Sequence, residues 1–252
     1  MKYNIENEIV EEKIIQSAHQ PNFIPWIGYF AKINQSHVFT YSDDVMFRKQ
    51  QSVSRSSFVS PQSEGYEWVV PIKRSTDERI SDKVISFQDI RIFERGLQRI
   101  KNDYKKTRYN SDLFEILFQI EEKIKKHQKL AAFNIDCISM LSNLFELKRL
   151  EFLGSDLGLD KYSSNERLVK RAKILNTNKY LCGQGAKGYQ DDNYLTDNGI
   201  EVLYVNYSEI YNEFGEGHQY SVLHLIAHHG IDKIKRHFAN SKYKSRGAAY
   251  LV

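Results

Sequence analysis

Cysteine and proline are scarce in this chain: 252 residues hold two of the first and four of the second. Cys137 and Cys182 are too far apart for a CxxC metal site and too few for a disulfide framework. Pro21, Pro25, Pro61 and Pro71 do not gather into a linker, and no internal repeat or low-complexity tract interrupts the sequence. No run approaches the ~18 apolar residues of a membrane-spanning helix. Residues 1–8 are acidic and lack an apolar core, so they do not read as a secretory signal, and a cytoplasmic protein is expected. A Walker A loop and a GxSxG elbow are both missing. No coenzyme A, folate or ATP signature appears, so no cofactor is expected.

What is present is a globular composition, 41% hydrophobic and 27% charged, long enough to bury a substantial core. The net charge of +4 is a small excess over many carboxylates, and no nucleic acid is expected as a stable partner. The densest basic cluster, Lys123–Lys129, lies among helix formers and reads as a solvated helix face or, alternatively, a contact for a phosphate-bearing partner. Sixteen Tyr and fourteen Phe build core first, but tyrosine also lines sugar and nucleotide pockets.

The pattern predicts strands at 13–18, 37–41, 68–72, 84–87, 179–182 and 201–205, with residues 50–60 a Ser-rich loop or irregular edge strand. Helical spacing marks 26–35, about 89–106, 111–128 and 132–154, a helix from Asn165, a short one near 190–198, and two C-terminal helices near 220–229 and 231–240. Strands alternating with helices give an α/β fold, a three-layer sheet in one domain over 1–252, with residues about 89–160 as a mostly helical subdomain.

Several segments could carry chemistry. His19 follows the first predicted strand, where α/β proteins build ligand sites. Two prolines stiffen its loop, and Gln20, Asn22, Trp26 and Tyr29 offer amides, an indole and a phenol to one pocket. His19 suits a general base near cellular pH, or it simply caps a strand end. A nucleotidyltransferase HxGH motif would need a second histidine where Tyr29 stands. Asp43 and Asp44 are adjacent and therefore point to different sides. One could orient His19 or bind a substrate ammonium, or both could be a charged turn. Gly183-Gln184-Gly185-Ala186-Lys187-Gly188 is a literal GxGxxG, but it lacks the long helix and the acidic residue of a dinucleotide site, so a tight turn beside a ligand is the preferred reading. His224 and His228 have the i, i+4 spacing of zinc ligands, yet Leu225 stands where HExxH needs its glutamate. A structural pair is the plainer reading, a metal-dependent hydrolase the alternative. Cys182 reads as a buried strand thiol rather than a nucleophile.

In order along the chain, His19 to Phe30, Phe39 to Phe47, Val70-Pro71-Ile72-Lys73, Tyr162-Ser163-Ser164-Asn165, Tyr180 to Tyr189, Gly199 to Val202 and Ser221 to Leu225 resemble the WbqC-like family. The resemblance covers roughly residues 13–230. It departs at Cys182, where Ser is common, and at His224, where Asp is common. What it implies is a transferase of surface-polysaccharide or O-antigen biosynthesis. The expected partners are a nucleotide-linked amino sugar and an acyl or aminoacyl donor, with a glycyl group as one example. A non-catalytic sugar-nucleotide-binding protein is the rival from another class. By motif, His19, Asp43 and Asp44 are the catalytic candidates. Gln20, Asn22, Trp26, Tyr29, Ser163, Ser164, Gly183, Gly185 and Tyr189 are the substrate-binding ones.

Overall fold

The alternation of strand and helix closes into one parallel sheet with an antiparallel hairpin beside it. The computed structural model describes residues 14–48, 52–162, 164–188 and 190–241. In chain order the elements are β1 (Ile15–His19), α1 (Ile27–Asn34), β2 (Val38–Tyr41), β3 (Arg55–Val59), β4 (Gly65–Val69), α2 (Arg91–Tyr104), α3 (Asn110–Ile124), α4 (Leu130–Leu144), β5 (Leu150–Leu153), α5 (Ser164–Ile174), β6 (Lys179–Cys182), α6 (Asp192–Asp197), β7 (Glu201–Tyr204), α7 (Ser208–Phe214), α8 (Val222–His229) and α9 (Ile231–Asn240). Short 3-10 turns join several of them.

The sheet runs β5-β2-β1-β6-β7, and each neighbouring pair is parallel. Paired residues of parallel strands share a face. Gln16↔Tyr180 and Ala18↔Thr40 therefore face one side, and Ser17↔Phe39 and His19↔Tyr41 the other. The two faces meet different cores. Phe39 and Tyr41 join the larger cluster with α1, α3, α4 and α8, whereas Tyr180 and Cys182 pack with Val169 and Ala172 of α5 and Leu195 of α6. The result is an α/β fold of three layers. Starting from central β1, the chain winds outward to β2 and β5, then returns through α5 to β6 and winds out to β7. The direction reverses between β1 and β6, and such a switch opens a crevice at the carboxyl ends of the two strands.

Between β2 and β5 lie the β3–β4 hairpin and three helices. Apolar stripes such as Phe93, Leu97, Ile100 on α2 and Leu113, Ile116, Leu117, Ile120 on α3 are buried. The Trp68 indole of β4 donates to the Phe93 carbonyl at 2.9 Å and lies over Gly96, where a Cβ would come within 2.2 Å of the ring. This assembly covers the loop between β1 and α1. The Asn134 amide of α4 donates to the Pro21 and Val53 carbonyls at 2.8 and 2.7 Å. The Ser56 and Ser221 hydroxyls both donate to the Ile24 carbonyl, and Val222 N–H to that of Pro25.

Two expectations are corrected. The helix predicted over 132–154 ends at Leu144, because Glu146 turns the chain with φ +59°, and residues 150–153 form the edge strand β5 instead. Residues 84–87 make isolated bridges, Ile72↔Ile85 and Val84↔Lys129, rather than a strand. Replacing Asn134 with Leu removes the amide but leaves two carbonyls buried without a donor. The expected destabilisation is roughly 2–4 kcal/mol, measured by urea unfolding. An unchanged midpoint would contradict the clamp.

Candidate active site

The crevice between β1 and β6 is a cleft of about 910 Å³. On its α1 side, Trp26 packs against Tyr207 at 5.0 Å between centroids, and Tyr207 against Tyr211 at 6.1 Å, making an aromatic wall. A Cβ on Gly28 would stand 2.2 Å from the Trp26 ring, so glycine is what lets the indole lie on the first turn of α1.

His19 ends β1 at the floor of this cleft. Its Nδ1 lies 3.1 Å from the Gln20 carbonyl. A carbonyl only accepts, so Nδ1 carries the proton and Nε2 keeps its lone pair. The Tyr29 hydroxyl donates to the same carbonyl at 3.1 Å, and its ring meets His19 edge-on at 4.9 Å. Loss of solvation, reinforced by the Lys32 charge, lowers the His19 pKa to about 4, so the ring is neutral at neutral pH. Lys32 sits on a helix that is buried along its whole length, and its ammonium donates to the Ala18 carbonyl at 2.7 Å. Burial lowers its pKa to about 8; Cys182 opposes the shift and the charge of Arg171 adds to it.

On the α5 side, Ser164, Arg167, Leu168 and Arg171 follow one another at helical spacing along the cleft wall. Arg167 Nη2 donates to Asp44 Oδ2 at 2.6 Å, and Arg171 Nε to Gln16 Oε1 at 3.1 Å. Gly183 and Gly185 also line the cleft. Neither has positive φ, a Cβ on Gly185 would meet nothing within 4 Å, and one on Gly183 would meet only the Tyr207 hydroxyl at 3.9 Å. The turn itself does not demand glycine; the two positions leave open space inside the cleft. Cys182 is a buried thiol that donates to the Leu203 carbonyl, and burial raises its pKa.

Of the residues singled out in the sequence, His19, Gln20, Trp26, Tyr29, Ser164, Gly183 and Gly185 converge on this cleft. Ser163 and Tyr189 lie outside the described residues. Asn22 is buried but does not line the cleft. The two aspartates do not orient His19. Asp43 accepts from the Ser155 amide and hydroxyl at 2.9 and 2.7 Å, and Asp44 is bound to Arg167. Both carboxylates are buried, so each takes the nearest strong donor. His224 and His228 lie in a separate cavity, where His224 Nδ1 meets the Tyr104 hydroxyl at 2.9 Å. Among the described residues no group of three or more His, Cys, Asp or Glu is placed to hold a metal ion.

Sequence reasoning missed Lys32, Arg167, Arg171 and Tyr207. A signal existed for the first, a lone lysine inside the apolar run Ile27–Ile33. Its depressed pKa has a consequence for stability. Between pH 8 and 10.5 the unfolded chain holds a proton on Lys32 that the folded chain has released, so stability rises with pH in that window. Relative to a Lys32→Met variant, the wild type is expected to gain up to about 3 kcal/mol across it, measured by denaturant unfolding at stepped pH. Parallel curves would show that Lys32 is not buried as described.

No solved structure matches the chain significantly. A protein of Mycobacterium tuberculosis named "Uncharacterized protein Rv1507c" is 22% identical over 191 residues, which cover 75% of this chain and 80% of that protein. The WbqC-like protein family matches residues 20–236, from the loop after His19 to α9, and the chain belongs to that family.

Proposed function

We propose that this protein is a transferase of polysaccharide biosynthesis that acylates or aminoacylates the amine of a nucleotide-linked amino sugar. Family membership supports the polysaccharide role. The observation that carries the chemistry is the lining of the cleft. Lys32, Arg167 and Arg171 face it together with a neutral imidazole, and no Asp or Glu is among its described lining residues. Such a site attracts an anionic ligand, as a nucleotide sugar is, and the aromatic wall of Trp26 and Tyr207 suits a sugar or base ring.

In this reading the sugar nitrogen attacks the carbonyl carbon of an activated acyl donor. The C–N bond forms as the carbonyl π electrons move onto oxygen. The Lys32 ammonium faces that developing oxyanion. Collapse restores the carbonyl and expels the donor's leaving group with its electron pair. His19 Nε2, which has a free lone pair, takes the proton that nitrogen loses. Asp43 and Asp44 have no part in the proton transfer. Asp44 instead holds Arg167 in the cleft wall.

The test is product formation by mass spectrometry, with uridine- or thymidine-linked amino sugars offered alongside thioester and acyl-adenylate donors. Wild type is expected to transfer, and His19→Ala to lose about 100- to 10,000-fold in turnover while keeping its fold. A folded His19→Ala protein working at the wild-type rate removes the base. Sugar-nucleotide binding without product in any donor mixture would favour a non-catalytic binding protein.

A further inference from the structure

On the α5 side of the cleft, polar groups outnumber their partners. Arg171 is 3% exposed and Gln16 is fully buried, yet among the described residues Arg171 Nη2 and Gln16 Nε2 have no acceptor, and neither does Arg167 Nε. The hydroxyl of Thr40, on the same sheet face as Gln16, is also without a partner among the described residues. Each guanidinium is held on one side, Arg167 by Asp44 and Arg171 by Gln16 and Tyr180, but buried donors are almost always satisfied, and these N–H groups are exceptions. The charges are unbalanced as well: among the described residues Arg167 pairs with Asp44, while Arg171 forms no ion pair and only feels the Asp44 charge. Both arginines line the cleft, as does Ser164 at the start of α5, where the helix end is partially positive.

We propose that Arg167 and Arg171, with the Gln16 amide behind them, form a phosphoryl seat on the α5 side of the cleft, opposite the aromatic wall of α1 and α7. Arginine forks match the paired oxygens of a phosphoryl group, and an anion in the cleft beside them balances the positive charge that Asp44 alone leaves uncompensated. The proposal rests on the reading of the cleft as a nucleotide-sugar site and gives the bound molecule a direction. Its diphosphate lies against α5, and its remaining rings reach toward Trp26 and Tyr207. It also recasts Asp44 as a competitor of the phosphoryl group for Arg167.

Calorimetry on the full chain with pyrophosphate, UDP, uridine and coenzyme A tests this. Pyrophosphate and UDP are expected to bind, and uridine to bind at least about 100-fold more weakly than UDP. Arg167→Gln, on the half-buried rim, and Arg171→Met, in the interior, should each weaken pyrophosphate about 10- to 100-fold and leave uridine unchanged. Should either variant fail to fold, the Asp44→Asn/Arg167→Gln pair leaves the net charge of the site unchanged and serves in its place. Asp44→Asn alone should bind pyrophosphate several-fold tighter, because it sheds the competing charge. Equal binding of UDP and uridine, or wild-type pyrophosphate affinity in both arginine variants, overturns the seat. Tight, arginine-dependent coenzyme A binding without UDP binding would assign the seat to the donor and overturn the orientation of the sugar nucleotide. Arginine-dependent UDP binding without transfer would leave the seat standing and remove the transferase. Transfer with an unchanged KM in the arginine variants would do the reverse.

Discussion

Five consecutive loop residues, Pro21 to Pro25, are buried, and irregular backbone out of water must find donors for its carbonyls. That requirement organises much of the molecule. Asn134 from α4 serves Pro21, Ser56 from the hairpin and Ser221 before α8 serve Ile24, and the amide of Val222 serves Pro25. A minimal doubly wound sheet contains no counterpart of the hairpin and the helices after it, and their shared task is to enclose this loop. Ile24, a β-branched residue, is held at φ +39°, a conformation that stores on the order of 1–3 kcal/mol. The surrounding hydrogen bonds keep it there. A loop so constrained places His19 at one end and Trp26 at the other with little freedom.

The second theme is electrostatic. Central strands of parallel sheets are ordinarily rich in Val, Ile and Leu, whereas β1 reads Ile-Gln-Ser-Ala-His. Its polar groups look both ways: Ser17 pairs with Ser36 below α1, and Gln16 with Arg171 below α5. Across the switch point run His19, Lys32, Arg171 and Arg167, each feeling the next as a charge that disfavours its own. Buried charges of this kind are weak contributors to stability, and apolar residues of similar volume often serve a fold as well. The anionic occupant proposed above would give it a physical rationale.

How much of this was legible in the sequence depended on whether the signal was local. The β1–α1–β2 unit, the apolar stripe of α3 and the late strands β6 and β7 follow from short-range periodicity, and they lie where the pattern put them. Edge strand β5 was not legible. Leu150 and Phe152 are partly exposed, and their spacing after Leu144 imitates one more helical turn. The histidine loop was recognisable from its residue types. The arginines of α5 were not, because Arg167 and Arg171 at i, i+4 look like any solvated helix face until the crossover sets that face on β1. The aspartates misled for the same reason in reverse: their partners, Ser155 and Arg167, stand more than a hundred residues away.

The low His19 pKa is better understood as the effect of the protein's own groups acting alone than as a defect in a base. Its two causes are lost solvation and the Lys32 charge. An anion near Lys32 would offset the second and favour the protonated imidazole, so the proposed occupant would raise the pKa. The same anion raises Lys32, whose own depression includes the charge of Arg171, and keeps it cationic at cellular pH. One bound phosphoryl group would therefore strengthen the base and secure the positive charge facing the oxyanion together. In that arrangement the arginines would act on the chemistry without touching the reacting atoms, through the sum of charges in the cleft.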